Sequence, residues 1–436
     1  MPVSRGTSTQ RQRLLNAIVE VSCEHGYESV TITSLIAHAR VSRRTFYEHF
    51  PNKDACFLLA LQTLERELRA RVTQRVELGP AQSAAAEAIA ALVAYADERP
   101  LAARFLMNEA MAAGPLGQAA RDRGVDELAL LVEAAYRHLG STDLVPGLPS
   151  KILVGASYRL LALSLIEGER RSAPLDEELL AWMATYGSPL ERGGWRAKSP
   201  SVIHSPPTLP SRSPLRAPGR LGPGRPRGSA PEVSENHRLR IILATAETVR
   251  RDGYAAATVA EIARTAGVDG RVFYKLFTGK RDAFGAVIEF AFQNTMAVTA
   301  GAFFAVGEWP RRIWNAGATL THYLEQNPAL AYACIVESRA GEDQTSRRLQ
   351  DLVSGFTIFL QEGYEYRQRA SGAPSRLALE AIAQASLEIL YREARRTDSP
   401  DMTGLLGQLS YVSLAPFVGA HTAEELIAEM MGQTSS

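Results

Sequence analysis

The chain has 436 residues, of which 46% are hydrophobic and 22% charged, and its formal net charge at pH 7 is +1. This composition is typical of a soluble globular protein of about two to four domains, and no stretch reaches the roughly 18 consecutive apolar residues of a membrane span. The three cysteines, Cys23, Cys56 and Cys334, lack metal-ligand spacing. We therefore expect a reducing cytoplasm, no disulfide framework, no metal and no other cofactor.

The charge is distributed unevenly along the chain. Residues 196–284 carry 16 Lys or Arg against 7 Asp or Glu, and residues 1–57 carry a smaller positive excess. Such asymmetry predicts a polyanionic partner for these segments rather than for the whole surface. A basic, solvated linker is the alternative, and we favour nucleic acid.

One sequence pattern occurs twice, at residues 11–57 and 238–284. The two copies align without a gap and share fifteen identities in 47 positions. A period of 227 residues is too long for a solenoid repeat, so it indicates one domain-sized unit that is used twice.

Turn signals in each copy predict three short helices. The first helix is expected to end at Gly26 or Gly253, since glycine commonly follows a helix C-terminus. Thr31 and Thr258 are expected to cap the second helix, and Glu261 should complete a capping box in the second copy.

A tight turn is predicted between the second and third helices. The turn residue is Gly267 in the second copy but Arg40 in the first, where a left-handed backbone is less comfortable. Ser42 and Asp269 are expected to cap the third helix, and Gly270 inside that helix should weaken it. A short helix, a tight turn and a second short helix predict a helix-turn-helix, whose second helix enters the DNA major groove.

The third helix of each copy should have an aromatic inner face. Phe46 and Phe50, like Phe273 and Phe277, are one turn apart and should pack inward. The residues that then point outward are Arg44 and Glu48 in the first copy and Arg271 and Lys275 in the second. The inner residues are matched between copies, whereas the outer residues are not.

The remainder of each half has apolar residues at helical spacing, interrupted by Gly and Pro, and we expect an all-α protein. Residues 196–236 are rich in Pro, Arg and Gly and lack apolar periodicity, which predicts a flexible linker. The expected domains are a helix-turn-helix domain at 1–57, a helical domain at 58–195, the linker at 196–236, a second helix-turn-helix domain at 237–284 and a second helical domain at 285–436.

Two sets of residues carry a resemblance to a known family. They are Thr31, Ala37, Val41, Ser42, Phe46, Tyr47, His49, Phe50 and Lys53 in the first copy, and Thr258, Ile262, Ala263, Gly267, Val268, Phe273, Tyr274, Phe277 and Lys280 in the second. This pattern resembles the TetR/AcrR family of transcriptional regulators. The resemblance implies two TetR-like units, each an N-terminal helix-turn-helix domain followed by a helical effector-binding and dimerisation domain. It also implies a cytoplasmic, nucleoid-associated bacterial regulator, a repressor by family default, that responds to an unidentified small-molecule effector.

The resemblance also implies which residues contact double-stranded DNA. They are Thr31, Ser42, Arg43, Arg44, Thr45, Tyr47, His49 and Lys53 in the first copy, and Thr258, Asp269, Arg271, Val272, Tyr274, Lys275 and Lys280 in the second. Tyrosine and lysine can hold phosphates and fix register, while arginine can pair with guanine and a Val or Thr methyl can meet a thymine methyl. For Tyr47 and Tyr274, packing in the aromatic core is the alternative.

The linker contains a further candidate, Arg225 and Arg227 in the sequence Gly-Arg-Pro-Arg-Gly. Arginine in a narrow minor groove is a known way of reading DNA. A plain solubilising tether is equally compatible with this short motif.

Several functional alternatives remain open at this level. One chain with two units suggests an intramolecular pseudo-dimer on an asymmetric operator, whereas two chains pairing like with like would give a homodimer. A constitutive DNA-binding or architectural protein without an effector response is the second reading, and a regulator in which only one helix-turn-helix binds DNA is another. We expect no enzyme, because no catalytic constellation or phosphate-binding loop is recognisable.

Overall fold

The computed structural model describes residues 5–79, 83–138, 148–167, 175–186, 215–219, 229–305, 307–339, 350, 353–366, 376–396 and 399–434. Within these ranges the secondary structure is helical, and no strand is found there, which confirms the predicted all-α fold. The chain separates into two compact units, Met1–Ala184 and Thr185–Ser436.

The first unit opens with three helices, α1 (Arg5–His25), α2 (Ile32–Ala39) and α3 (Arg43–His49). The helical body that follows contains α4 (Lys53–Leu78), α5 (Ala84–Glu98), α6 (Pro100–Arg104), α7 (Ala110–Ala112), α8 (Gly114–His138), α9 (Ser150–Glu167) and α10 (Leu175–Ala184). A π-helical turn, Phe105–Glu109, joins α6 to α7.

The second unit repeats this order with its own helices. Its first three helices are α11 (Ala230–Asp252), α12 (Val259–Ala266) and α13 (Gly270–Leu276). The body contains α14 (Lys280–Phe303), α15 (Trp309–Gln326), α16 (Pro328–Ile335), α17 (Ile358–Gln361), α18 (Gly363–Tyr366), α19 (Arg376–Ala394), α20 (Leu406–Val418) and α21 (Ala420–Thr434). A short 3-10 turn, Glu337–Arg339, follows α16.

Paired phenylalanines anchor the third helix of each unit, as predicted. Phe46 and Phe50 are buried with ring centroids 5.9 Å apart, and Phe273 and Phe277 are buried with centroids 5.8 Å apart. Full burial of such a side chain stabilises the fold by roughly 1.5–3 kcal/mol. The short third helices are therefore held mainly by packing, since seven residues are too few for a helix that is stable alone.

The predicted N-caps are present in both units. The Thr31 hydroxyl accepts a hydrogen bond from the Ser34 amide at 3.0 Å, and Ser42 accepts one from the Thr45 amide at 3.0 Å. In the second unit Thr258 and Asp269 cap α12 and α13 in the same way. Each cap satisfies an amide that would otherwise have no partner at the start of a short helix.

The predicted capping box at Thr258 is wrong, because the hydrogen bond from the Thr258 amide to the Glu261 side chain does not form. The Glu261 carboxylate does not reach back to the Thr258 amide but pairs with the guanidinium groups of Arg251 at 2.8 Å and Arg264 at 2.5 Å. Two charged donors compete more strongly for a carboxylate than one neutral amide does. A complete capping box occurs instead at Thr31, whose amide donates to the Ser34 hydroxyl.

The turn between the second and third helices has a left-handed residue in both units. Gly267 has φ 62° and Arg40 has φ 51°, and Arg40 is the one non-glycine residue with positive φ in the described part of the chain. The first helix of each unit is followed by Gly26 or Gly253, again at positive φ as predicted. Gly270 is the first residue of α13 rather than an interior one, so its cost to that helix is smaller than expected.

The last seven residues of the predicted linker, 230–236, belong to helix α11. Ser229 accepts from the Glu232 amide, and Glu232 accepts from the Ser229 amide at 2.8 Å, so a capping box starts the helix at Ala230. The S-x-x-E signal with Pro231 in the first turn was visible in the sequence. Upstream, the Leu215 amide donates to Asn327 Oδ1 at 2.8 Å, and its side chain packs on the core of this helix-turn-helix.

Candidate DNA-binding surface

An arginine on the first helix fixes the turn in each unit. The Arg13 guanidinium donates to the Arg40 carbonyl at 2.7 Å, and Arg240, at the matched position, donates to the carbonyls of Ala266 and Gly267. Carbonyls at a helix C-terminus lack partners within the helix, so a cation there supplies both hydrogen bonds and favourable electrostatics. Sequence reasoning missed this contact, although the R-x-R pattern recurs in both copies.

A second matched contact holds the loop before the second helix. Lys53 Nζ donates to the carbonyls of Tyr27 and Val30 at 3.2 and 3.1 Å, and lies 4.4 Å from the Tyr27 ring centroid. Lys280 donates likewise to the carbonyl of Tyr254 at 2.8 Å, but its second acceptor is the Ala255 carbonyl at 3.1 Å rather than that of Ala257, the residue matched to Val30. These lysines were predicted to contact phosphate, and any phosphate must compete with these carbonyls for them.

The two tyrosines of the third helices lie on the surface. Tyr47 is 50% exposed and Tyr274 is 63% exposed, while each ring edge touches the buried phenylalanine before it at a centroid distance of 5.5 Å. Packing against the phenylalanine therefore covers only part of each tyrosine. Both tyrosines are therefore accessible to a DNA backbone.

The outer face of α3 is internally paired. The Arg44 guanidinium donates from Nε to Glu48 at 3.0 Å, one turn along the helix, although the Arg44 side chain is 90% exposed. Arg43 is exposed beside it, and the Thr45 hydroxyl lies 2.9 Å from the Ser42 hydroxyl within the cap. This face thus presents a carboxylate next to its arginines.

The outer face of α13 presents two cations that form no ion pair with a described residue. Arg271 and Lys275 are exposed, and neither has an ion-pair partner among the described residues. Val272 between them is half-buried, and Asp269 accepts the Arg271 amide at 2.8 Å. The two outer faces thus present different groups, an arginine paired with Glu48 on α3 and, on α13, Arg271 and Lys275 unpaired within the described ranges, and they suit different stretches of DNA.

His49 differs from the other predicted contacts. Its Nε2 atom is occluded from solvent and has no hydrogen-bond partner within the described ranges, and the matched position is Leu276. His49 therefore reaches a phosphate only if its ring turns outward. Arg225 and Arg227, the predicted minor-groove pair, lie outside the described residues.

A buried glutamate of the body contacts the helix-turn-helix domain in each unit, and sequence reasoning missed it. The carboxylate of Glu109 accepts the Tyr27 amide at 3.3 Å, and that of Glu337 accepts the Tyr254 amide at 3.2 Å. Glu109 is 7% exposed and Glu337 is 1% exposed. Each bond joins the body to the residue that follows the first-helix glycine, although the two sequence contexts, FLMNEA and CIVESR, share only the glutamate.

Three observations concern other kinds of site. In the described ranges no group of His, Cys, Asp or Glu side chains has a metal-binding arrangement. No described helix is both long and apolar enough to cross a membrane. Burial raises the pKa of the Cys23, Cys56 and Cys334 thiols to about 12, so they are not reactive thiolates at neutral pH.

Fold and site together define a protein with two helix-turn-helix domains, each joined to a helical body. Residues 14–60 and 241–287 both match the sequence model for bacterial regulatory proteins of the tetR family. The chain thus contains two tandem TetR-like units, each of which begins with a helix-turn-helix domain of this kind.

Individual relatives share parts of this chain. The nucleoid occlusion factor SlmA of Pasteurella multocida (strain Pm70) is 29% identical over 112 residues, which are 25% of this chain and 56% of SlmA. The chain thus spans about half the length of that curated relative.

Solved structures of similar proteins cover less than half of the chain. The fatty acid degradation regulator FadR from Bacillus halodurans is 20% identical, with 41% of this chain and 94% of FadR covered and a TM-score of 0.38. FadR from Bacillus subtilis, in complex with stearoyl-CoA, is 17% identical, with 41% and 98% covered and a TM-score of 0.37.

Proposed function

We propose that the protein is a transcriptional repressor in which one chain reads an asymmetric DNA operator with both helix-turn-helix domains. The unlike outer faces of α3 and α13 carry this proposal. Arg44 forms an ion pair with Glu48, whereas Arg271 and Lys275 have no ion-pair partner among the described residues. Glutamate can accept a hydrogen bond from cytosine, and arginine pairs bidentately with guanine. Each half-site therefore has its own preferred sequence.

In this proposal the chain acts as an intramolecular pseudo-dimer. Each unit supplies a complete helix-turn-helix domain, so one molecule can occupy two half-sites without a partner chain. The five segments 1–57, 58–195, 196–236, 237–284 and 285–436 are the proposed domains, and Arg225 and Arg227 of the linker are proposed to enter the minor groove. The remaining base and phosphate contacts are those named from the sequence.

A small-molecule effector is proposed to act through the contacts between body and helix-turn-helix domain. Helix α16 packs against α11, and Glu337, directly after α16, accepts the Tyr254 amide. A shift of α16 would therefore move the turn that leads into α12. Glu109 offers the same connection in the first unit.

Substitution of the two exposed tyrosines tests the DNA-contact assignment. Tyr47→Ala and Tyr274→Ala should each weaken operator binding about five- to thirty-fold, because each removes a backbone contact of roughly 1–2 kcal/mol. Tyr47→Phe and Tyr274→Phe are the matched controls that keep the ring and remove only the hydroxyl. Unchanged affinity and sequence preference in both alanine variants would contradict the proposal, whereas an effect of only one would show that a single unit reads DNA.

A constitutive DNA-binding protein is the second candidate. It is favoured by the likeness to a nucleoid occlusion factor over 112 residues. Mapping of bound genomic sites separates the two, since a repressor should occupy a few promoters whereas a protein of the second kind should occupy many sites away from promoters.

A further inference from the structure

A short segment of the predicted linker packs on the second unit. Residues 215–219, with the sequence Leu-Arg-Ala-Pro-Gly, have no regular secondary structure. Leu215 is half-buried and packs on the core of the helix-turn-helix, and Pro218 is half-buried as well, whereas Arg216 between them is exposed. The segment therefore has an inner and an outer side, which a freely solvated tether would not have.

Two backbone groups of this segment are hydrogen-bonded to asparagine side chains. The Leu215 amide donates to Asn327 Oδ1 at 2.8 Å, and the Gly219 carbonyl accepts a longer bond from Asn236 Nδ2 at 3.5 Å. Asn327 lies at the joint between α15 and α16, and Asn236 lies on α11. One end of the segment is thus attached to the helical body and the other to the first helix of the helix-turn-helix domain.

The attachment at Asn327 is buried and uses both ends of its side-chain amide. Asn327 is 6% exposed, and its Nδ2 donates to the Tyr323 carbonyl at 2.8 Å while its Oδ1 accepts the Leu215 amide. A buried amide oxygen that lost this donor would be costly. The matched joint of the first unit has Arg99, which pairs with Glu67 of α4 instead.

The segment also borders the contact that fixes the turn before α13. Three of its residues enclose a cleft together with α11, α12 and the α15–α16 joint. Arg240 lines the same cleft, and its guanidinium donates to the carbonyls of Ala266 and Gly267 at the end of α12. A change at the segment therefore reaches the turn that positions the recognition helix.

We propose that residues 215–219 form a strap that holds the second helix-turn-helix domain to its helical body, so that the linker controls how rigidly α13 is presented to DNA. This control acts on the second unit, since the matched joint of the first unit is closed by the pair of Arg99 and Glu67. The inference rests on the proposed function only for its effect on DNA binding. The strap itself can be measured without DNA.

Hydrogen exchange on the full chain without DNA tests the strap. Leu215→Ser removes its apolar anchor, and Asn327→Ala removes the acceptor of its amide. Each should speed exchange of the α12 and α13 amides about threefold to tenfold and leave those of α2 and α3 unchanged. Arg216→Ala is the matched control, because it changes an exposed side chain of the same segment. Unchanged exchange of α12 and α13 in Leu215→Ser and Asn327→Ala, or equal acceleration in both units, would overturn the inference.

The double variant separates the strap from a local role of Asn327 within α15. If both residues act through one strap, the combined variant should exchange no faster than the faster single variant, because the second substitution removes nothing further. An acceleration equal to the product of the two single effects would show that Asn327 stabilises only its own helices, and would contradict the strap.

Binding to the selected operator distinguishes this inference from the proposed function. Leu215→Ser should weaken binding about threefold to tenfold at the half-site that Tyr274→Ala affects, and should leave the other half-site unchanged. Faster exchange with unchanged affinity at that half-site would refute control by the linker. If exchange changes as expected and no DNA sequence is selected, the proposed function fails while the strap stands. If DNA is bound and neither variant alters exchange, the strap fails and the DNA-binding function stands.

Discussion

Arg40 has the least comfortable backbone in the described part of the chain. It has φ 51° at the helix-turn-helix turn, where the second unit has Gly267 at φ 62°. A left-handed conformation costs an ordinary residue roughly 1–2 kcal/mol, and glycine adopts it freely. The hydrogen bond from Arg13 to the Arg40 carbonyl involves only the backbone of Arg40, so it survives substitution of that side chain.

Arg40→Gly is therefore expected to stabilise the first helix-turn-helix by about 1 kcal/mol. Hydrogen exchange of the α2 amides in the full chain should slow about fivefold, since exchange reports local opening. Gly267→Ala is the opposite substitution in the second unit. It should speed exchange in α12, because it places a side chain on a left-handed residue. Faster exchange in α2 of Arg40→Gly would show that the arginine side chain stabilises the turn.

Glu65 is a second residue with an unusual environment. It lies on α4 against Gly124 of α8, and burial raises its pKa to about 7, partly opposed by Arg123 and Arg69 and reinforced by Glu127. The unfolded chain should titrate near the ordinary value of about 4.3. Between these two values the folded state binds the proton more tightly, so the stability of the first unit falls as pH rises through this window.

Glu65→Gln should remove this pH dependence. The thermal midpoint of the first unit should rise at pH 8, where the folded protein otherwise buries a charge, and the gain should shrink toward pH 5. Glu98→Gln is the control, because Glu98 is 62% exposed, pairs with Arg71 and is not among the charges that shift the pKa of Glu65. A gain of Glu65→Gln that is equal at both pH values would contradict the assigned pKa.

At the scale of elements, the two units differ in how deeply the arginine of the first helix is buried. Arg240 is 4% exposed and lines the same surface pocket as Leu215 and Pro218. Arg13, at the matched position of the first unit, is exposed. A buried hydrogen bond to a charged group is stronger than an exposed one, and its loss leaves carbonyls without partners.

Arg240→Met should therefore destabilise the α12–α13 pair by about 2–3 kcal/mol, and Arg13→Met should destabilise α2–α3 by less than about 1 kcal/mol. Hydrogen exchange of the two helix pairs in the full chain measures both effects in the same experiment. Equal losses in the two units would show that the burial of Arg240 does not matter.

The local structure of the helix-turn-helix domains could be predicted from the sequence because it is set by short-range chemistry. The caps at Thr31, Ser42, Thr258 and Asp269 each depend on residues within three positions. The inward phenylalanines follow from the helical period in the same way.

The missed features depend on contacts between residues distant in the sequence. Glu337 meets the Tyr254 amide across 83 positions, and Lys280 turns to a loop 26 positions away.

At the scale of the whole molecule, the duplicated pattern corresponds to two helix-turn-helix domains that share their buried residues and differ in their outer residues. The shared parts are the buried phenylalanines, the capping positions and the inward lysines, whereas the outer faces of α3 and α13 differ, with Glu48 where the second unit has Lys275. Two equal readers would select an inverted repeat, whereas unequal readers on one chain select two unlike half-sites. The operator is therefore expected to lack two-fold symmetry.

Selection of bound sequences from a random DNA pool by the purified full chain tests this claim most directly. We expect two half-sites of different sequence, with binding at one weakened in Tyr47→Ala and at the other in Tyr274→Ala. A perfect inverted repeat, with both variants affecting the two halves equally, would contradict asymmetric reading by one chain and would indicate a homodimer.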